Sequence, residues 1–129
     1  LPEWHTIMGL QFENLVLNNL RTIQHLLNIS SSSVLSASPY FQHETKKYKA
    51  CQVDLLIQCR YSIYVGEIKC RQKITSEVID EVAEKIARLN IPKDVSIRPV
   101  LIYQGELSPE IKRANFFANL ISFEELLGS

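Results

Sequence analysis

The sequence predicts a mixed α/β domain, a β-sheet with helices on both of its faces. Three observations carry that expectation. Val53 to Lys69 reads as two apolar strands around one tight turn. Apolar residues recur at spacings of three and four both before and after this hairpin, the mark of amphipathic helices. Arg98 to Tyr103 (R-P-V-L-I-Y) is a continuous apolar run, which fits a buried parallel strand reached by a right-handed crossover.

In chain order, Leu10, Val16, Leu17, Leu20, Ile23 and Leu27 predict a first helix from about Met8 to Asn28. Glu13 falls inside that stripe, where a carboxylate is costly unless paired. It also falls in the first turn, where acids favour the helix dipole. Ser30 to Ser33 form a polar turn, and Val34 to Phe41 a first strand whose Pro39 suits an edge or a strand end. His43 to Lys49 (H-E-T-K-K-Y-K) is a polar loop. Its lysines, with Tyr40, Phe41 and Tyr48, suit either phosphate and base contacts or plain solvation.

After the hairpin, Thr75 or Ser76 caps a second helix with Ile74, Val78, Val82, Ile86 and Leu89 inward. Glu81 with Lys85 and Glu84 with Arg88 read as i,i+4 pairs on its solvated face. The helix stops before Pro92, and the strand Arg98–Tyr103 follows. Ser108-Pro109-Glu110 opens a short third helix, and Asn119 to Ile121 is a last strand. Ser122 to Glu125 is a capping box for a closing helix ending near Gly128.

A chain of 129 residues holds one domain with a genuine core, so residues 1–129 are read as a single unit. Hydrophobic content of 46% and charged content of 22% are ordinary for a soluble globular protein. Fourteen basic and fourteen acidic residues cancel, which leaves room for a local basic patch. No run is long enough to span a membrane, and no signal peptide is read before the first strand. The chain opens Leu-Pro-Glu-Trp without a Met, so a piece of a longer protein is expected. Three cysteines without a CxxC spacing point to reduced thiols and a cytoplasmic location. His5, His25 and His43 form no pattern of a nucleophilic mechanism.

The hairpin carries the chemistry. With Arg60 and Tyr61 as a two-residue turn, antiparallel pairing sets Asp54 opposite Glu67, about 5 Å apart at Cβ. Glu67 and Lys69 share a strand face. The same register sets Cys51 beside Cys70, which permits a disulfide by geometry, although reduced thiols are expected. Two carboxylates at that distance repel unless a proton or a cation intervenes. Lys69 is one candidate cation; a divalent metal is the other, since Mg²⁺ binds through one or two carboxylates plus substrate phosphates. A solvated ion-pair cluster is the plainer reading, weakened by the apolar neighbours Leu56, Ile63 and Val65 on that face.

An acid in the first helix, an Asp on the second strand and Glu-x-Lys on the third resembles the PD-(D/E)xK nuclease superfamily. The resemblance spans Gly9 to Tyr103, with Val53 where the motif's name has proline. It implies a restriction-endonuclease-like sheet with an αβββαβ core. By position, Asp54, Glu67 and Lys69 stand for the motif residues and Glu13 for the helical acid. It further implies a nuclease that hydrolyses phosphodiester bonds of nucleic acid, DNA in the first instance. Asp54, Glu67, Glu13 and the carbonyl of Ile68 would hold Mg²⁺ or Mn²⁺, and Lys69 would act on the attacking water or the developing charge. Gln72 and Lys73 suit contacts with the substrate backbone or a plain surface role.

The opening Gly9-x-x-x-Glu13, with V-D-L-L-I and V-G-E-I-K, is similar to domains carried at the C-terminus of P-loop ATPases. An ATPase module is therefore an expected upstream partner, as this chain has no GxxxxGK[ST]. The alternatives are a catalytically silent domain of this fold that serves an ATPase as a DNA-binding or regulatory module, and a protein-interaction module with an ion-paired hairpin.

Overall fold

Five strands form one mixed sheet in the order β1-β2-β3-β4-β5. The strands are β1 (Val34–Gln42), β2 (Cys51–Cys59), β3 (Ser62–Ile74), β4 (Ser96–Leu107) and β5 (Asn119–Ser122). The helices are α1 (Pro2–Leu17), α2 (Leu20–Leu26), α3 (Glu77–Arg88), α4 (Pro109–Ala114) and α5 (Phe123–Gly128). This computed structural model describes residues 2–128, with side chains from residue 10 onward. The first three strands are an antiparallel meander, while β3, β4 and β5 run parallel through helical crossovers.

The sheet has a core on each face, which is why its central strands are apolar throughout. On one side Phe12, Val16, Ile23 and Leu27 of the first two helices, with Leu126 of α5, cover Leu55, Ile57, Tyr64 and Ile102. On the other, Val78, Val82 and Leu89 of the α3 region, with Ile111 and Phe117, cover Leu56, Val65 and Leu101. Each fully buried aliphatic side chain contributes about 1.5–3 kcal/mol by leaving water.

The expected single first helix is instead two. The break falls at Asn18-Asn19, where Asn19 Nδ2 donates to the Leu15 carbonyl at 2.7 Å. An Asn side chain that takes a backbone acceptor competes with helix continuation. Ser76 stands at the N-cap position of α3 but its hydroxyl makes no capping bond. Glu77 and Asp80 in the first turn and Lys85 and Arg88 in the last complement the dipole instead. The capping box of α5 is present: Glu125 N donates to Ser122 Oγ at 3.2 Å, and Ser122 N donates to Glu125 Oε1 at 3.1 Å.

The strand expected at Arg98–Tyr103, Pro99 included, runs longer, from Ser96 to Leu107. The Pro99 carbonyl accepts from Ala118 N at 2.8 Å. Backbone N–H and C=O of one strand residue point the same way, so the missing donor faces the side where β5 has not yet begun. Pairing of β4 with β5 starts only at Val100.

A bulge in β2 positions the site. Ser38 pairs with Leu56 and Tyr40 with Val53, so two steps along β1 meet three along β2. The extra residue falls at Asp54-Leu55, opposite Pro39, which cannot donate to the ladder. Val53 and Cys51 are thereby turned onto the α3 side with Leu56. Cys70 packs on the opposite side, which corrects the expectation that Cys51 and Cys70 lie side by side. All three cysteines are free thiols. No helix among the described residues is long and apolar enough to cross a membrane.

Candidate active site

The pairing of β2 with β3 follows the expected register from Gln58–Ile63 to Leu55–Gly66 and stops there. Gly66 permits this last close pair, because a Cβ on it would lie 3.0 Å from the Leu55 carbonyl oxygen. Beyond it the strands part, and Asp54 enters the gap. Its Oδ2 accepts the Ile68 N–H at 2.9 Å, a donor that an unbroken ladder would give to the backbone of β2. The bulge thus replaces a backbone acceptor by a carboxylate at the mouth of the hairpin.

Glu67 lies beside it, 4% exposed. Lys85 Nζ donates to its Oε1 at 3.0 Å, while Oε2 is buried without a hydrogen-bond partner. Burial first, then Asp54, both as an acceptor for the carboxyl proton and through its charge, push the Glu67 carboxyl up to about 7, against the pull of Lys85. For Lys85, burial disfavours the ammonium, but the charge and hydrogen bond of Glu67 together with the charges of Asp54 and Cys51 outweigh it, and the net shift is upward. A buried carboxylate with an orphaned oxygen beside a second carboxylate is a place for a proton or a cation.

Lys69 does not join this pair. Its Nζ is 2.7 Å from Glu81 Oε2 on α3. The expected i,i+4 pair between Glu81 and Lys85 on a solvated face is therefore corrected. Both side chains turn to the sheet, and the charges cross over: Glu67 to Lys85, Lys69 to Glu81. The geometry is commensurate, since two strand residues advance about 6.6 Å and four helical residues about 6 Å. The helix runs back against the strand, so the order of partners reverses. Glu84 and Arg88 do form the expected i,i+4 pair.

Glu13 is exposed, not buried in the apolar stripe. The stripe turns through Phe12 and Val16 instead, leaving Leu10 55% exposed. Glu13 makes no hydrogen bond to Asp54 or Glu67. Partial burial and the charge of Asp54 nevertheless raise its carboxyl, with Lys85 opposing, so it stands within electrostatic reach of the mouth. Gly9, four residues earlier, lies outside the residues whose side chains are described.

Two functional candidates were not legible as such in the sequence. Lys85 looked like a surface lysine; the matching of Glu67-x-Lys69 to Glu81-x-x-x-Lys85 was the available signal. Gln42 is the other, 7% exposed. Its Nε2 donates to the Lys49 and Arg88 carbonyls at 2.8 and 2.7 Å, and its Oε1 accepts from Asn90 N at 2.9 Å. It ties the end of β1, the following loop and the end of α3 together.

A cleft of about 470 Å³ opens beside Asp54, with Lys85, Arg88, Cys51 and Phe41 in its wall. Among the described residues no group of three His, Cys, Asp or Glu side chains is arranged to hold a metal ion. The Asp54–Glu67 pair still fits a hard divalent ion that keeps most positions for water or phosphate oxygens. Searches of family models, curated proteins and solved structures found no match to this chain.

Proposed function

We propose that this protein is a metal-dependent phosphodiesterase of nucleic acid, a nuclease on a restriction-endonuclease-like version of its mixed sheet, with DNA as the first candidate substrate. One observation carries the reading. Asp54 and Glu67 meet at the open end of the hairpin, and Glu67 Oε2 is buried with no donor beside it, so the pair calls for a shared proton or a cation. Leaving a buried carboxylate oxygen unsatisfied costs about 1–3 kcal/mol or more, and a divalent ion between the two acids would relieve that cost.

Asp54 and Glu67, with the Ile68 carbonyl, would be the oxygen donors for Mg²⁺ or Mn²⁺, while Glu13, exposed at the rim, stands outside that set and acts on it only through its charge. Such an ion, when bound, supplies Lewis-acid polarisation of a phosphoryl oxygen and an acidified water. The chain's own residues do the rest. The bulge holds Asp54 in place through the Ile68 N–H. Lys85 orients Glu67 and favours its ionised form. Lys69 supplies the positive charge for the attacking water or the developing oxyanion by exchanging Glu81 for a phosphoryl oxygen. Attachment to an ATPase module rests on the motif resemblance alone.

A second reading has its own observation. Lys85 already neutralises Glu67, and Glu81 already neutralises Lys69, as in a catalytically silent domain stabilised by an ion-pair network. Calorimetric titration with Mn²⁺, together with Mg²⁺-dependent cleavage of DNA and RNA, separates the two. The nuclease reading expects binding that Asp54→Asn abolishes, and cleavage that Lys69→Met abolishes with binding retained. It fails if the wild-type protein binds no divalent ion and Lys69→Met only lowers its melting temperature.

A further inference from the structure

We infer that the groove beside Asp54 seats a single-stranded stretch of nucleic acid, with phosphates on Lys47, Lys49 and Arg88 and a base stacked on Phe41. What happens to that strand rests on the phosphodiesterase reading; what is bound rests on the groove.

Next to the cleft beside Asp54 lies a second of about 270 Å³, walled by Lys47, Tyr48, Lys49 and Glu84, and the two share Arg88. Side by side on either side of Arg88, the two clefts lie between Asp54 and the loop between β1 and β2. Lys46, Lys47 and Lys49 have no acidic partner among the described residues. Arg88 is held by Glu84 and by the Ala50 carbonyl, which fixes its guanidinium between them at the cost of part of its charge. A chain of zero net charge thus concentrates cations around the two clefts, one of which Asp54 lines.

Phe41 is 54% exposed in the wall of the first cleft. His43 stands edge-on to it, 4.8 Å between ring centroids at 78°, and such a contact covers at most one side of the ring. Tyr48 lines the second cleft as Phe41 lines the first. Cations alternating with aromatic rings are the arrangement that grips a single strand, because stacking on a side chain requires a base released from the duplex. The walls are also held in fixed relation. Gln42 bolts the loop to the end of α3, and the Thr45 hydroxyl accepts from Tyr48 N at 3.0 Å while Thr45 N donates to the Tyr48 carbonyl at 2.8 Å. A preformed groove loses less entropy on binding.

The test is fluorescence anisotropy in EDTA, which removes cleavage from the measurement. The probes are labelled single-stranded DNA, single-stranded RNA and duplex DNA of about 20 nucleotides, longer than one strand-binding site. Either single strand should bind at least about 10-fold tighter than duplex. Phe41→Ala should weaken single-strand binding by about 5- to 100-fold. The Lys47→Gln/Lys49→Gln double variant should lower the slope of log affinity against log salt by about 1.4. Leu35→Ala, exposed at the far end of the same strand, should change neither. Duplex binding as tight as single-strand binding, a silent Phe41→Ala, or no binding by the wild type overturns the inference. Adding Mg²⁺ separates it from the nuclease reading. Strand-selective binding without cleavage upholds the groove and sinks the chemistry, and cleavage without strand preference does the reverse.

Discussion

Lys85 Nζ lies 3.0 Å from Glu67 Oε1, so the cation nearest the buried carboxylate comes from helix α3 and not from the Glu-x-Lys strand. Lys69, two residues along, is held by Glu81 at 2.7 Å. The two lysines therefore have separable roles, and substitution distinguishes them.

Lys69→Met keeps the apolar stem and removes the charge, so packing changes little. Cleavage should fall by about 10²–10³, with Mn²⁺ affinity within a few-fold of wild type. Lys85→Met should act on the fold instead. It strands Glu67 in the interior, a loss that approaches but does not reach the ~3–5 kcal/mol of a fully buried pair, since Lys85 keeps 30% of its side-chain exposure. Urea denaturation of both variants beside single-turnover cleavage checks the split. A Lys85→Met protein as stable as wild type contradicts it.

Glu67 sets a pH dependence whose sign follows from its shift. The folded carboxyl sits at about 7 against an ordinary 4.5, so between those values the folded chain holds a proton that the unfolded chain has released. Stability from this group is full below about 4.5 and is lost as pH rises through about 7, by on the order of 3 kcal/mol at the limit. Melting temperature measured in EDTA should fall across that window, and Glu67→Gln should flatten the profile. Mn²⁺ competes with the proton, so its stabilising effect should be larger at pH 8 than at pH 6. A wild-type profile that rises through the window refutes the assignment.

Gln42→Leu keeps approximate volume but leaves the Asn90 N–H and the Lys49 and Arg88 carbonyls without their partner. Each unsatisfied buried group costs about 1–3 kcal/mol; water entering at the loop should hold the sum near 2–4 kcal/mol. Hydrogen exchange should quicken in residues 43–50 and at the end of α3, and leave α1 unchanged. Unaltered exchange at Asn90 would show that the amide is not the tie.

Cys51 is buried, and burial raises its thiol despite the opposing charges of Lys85 and Arg88. It should resist iodoacetamide in the native protein, while Cys59 and Cys70, both partly exposed, are modified first. Mass spectrometry after a brief pulse gives the order. Elemental analysis should find no stoichiometric zinc.

The sequence by itself determined the architecture, because periodicity reports burial directly. The two-faced apolar strands at Leu55–Ile57 and Ile63–Val65 demanded helices on both sides, and the Arg60-Tyr61 turn dictated the hairpin register at Leu55–Gly66. Continued by one residue, that register would set Asp54 opposite Glu67, but the observed pairing ends at Leu55–Gly66. What only the tertiary structure decided depends on where that register ends. The bulge opposite Pro39 arises from pairing β2 with a neighbour that lacks a donor, a relation between residues far apart in the chain. It turned Cys51 and Val53 over, and at its centre the Asp54 carboxylate accepts the backbone N–H of Ile68. The exchange of partners among Glu67, Lys69, Glu81 and Lys85 depended on how α3 lies along β3. Spacing within one helix cannot distinguish a solvated pair from two charges that reach the sheet, because both satisfy the same i,i+4 geometry and only the packed surface says which face is outside.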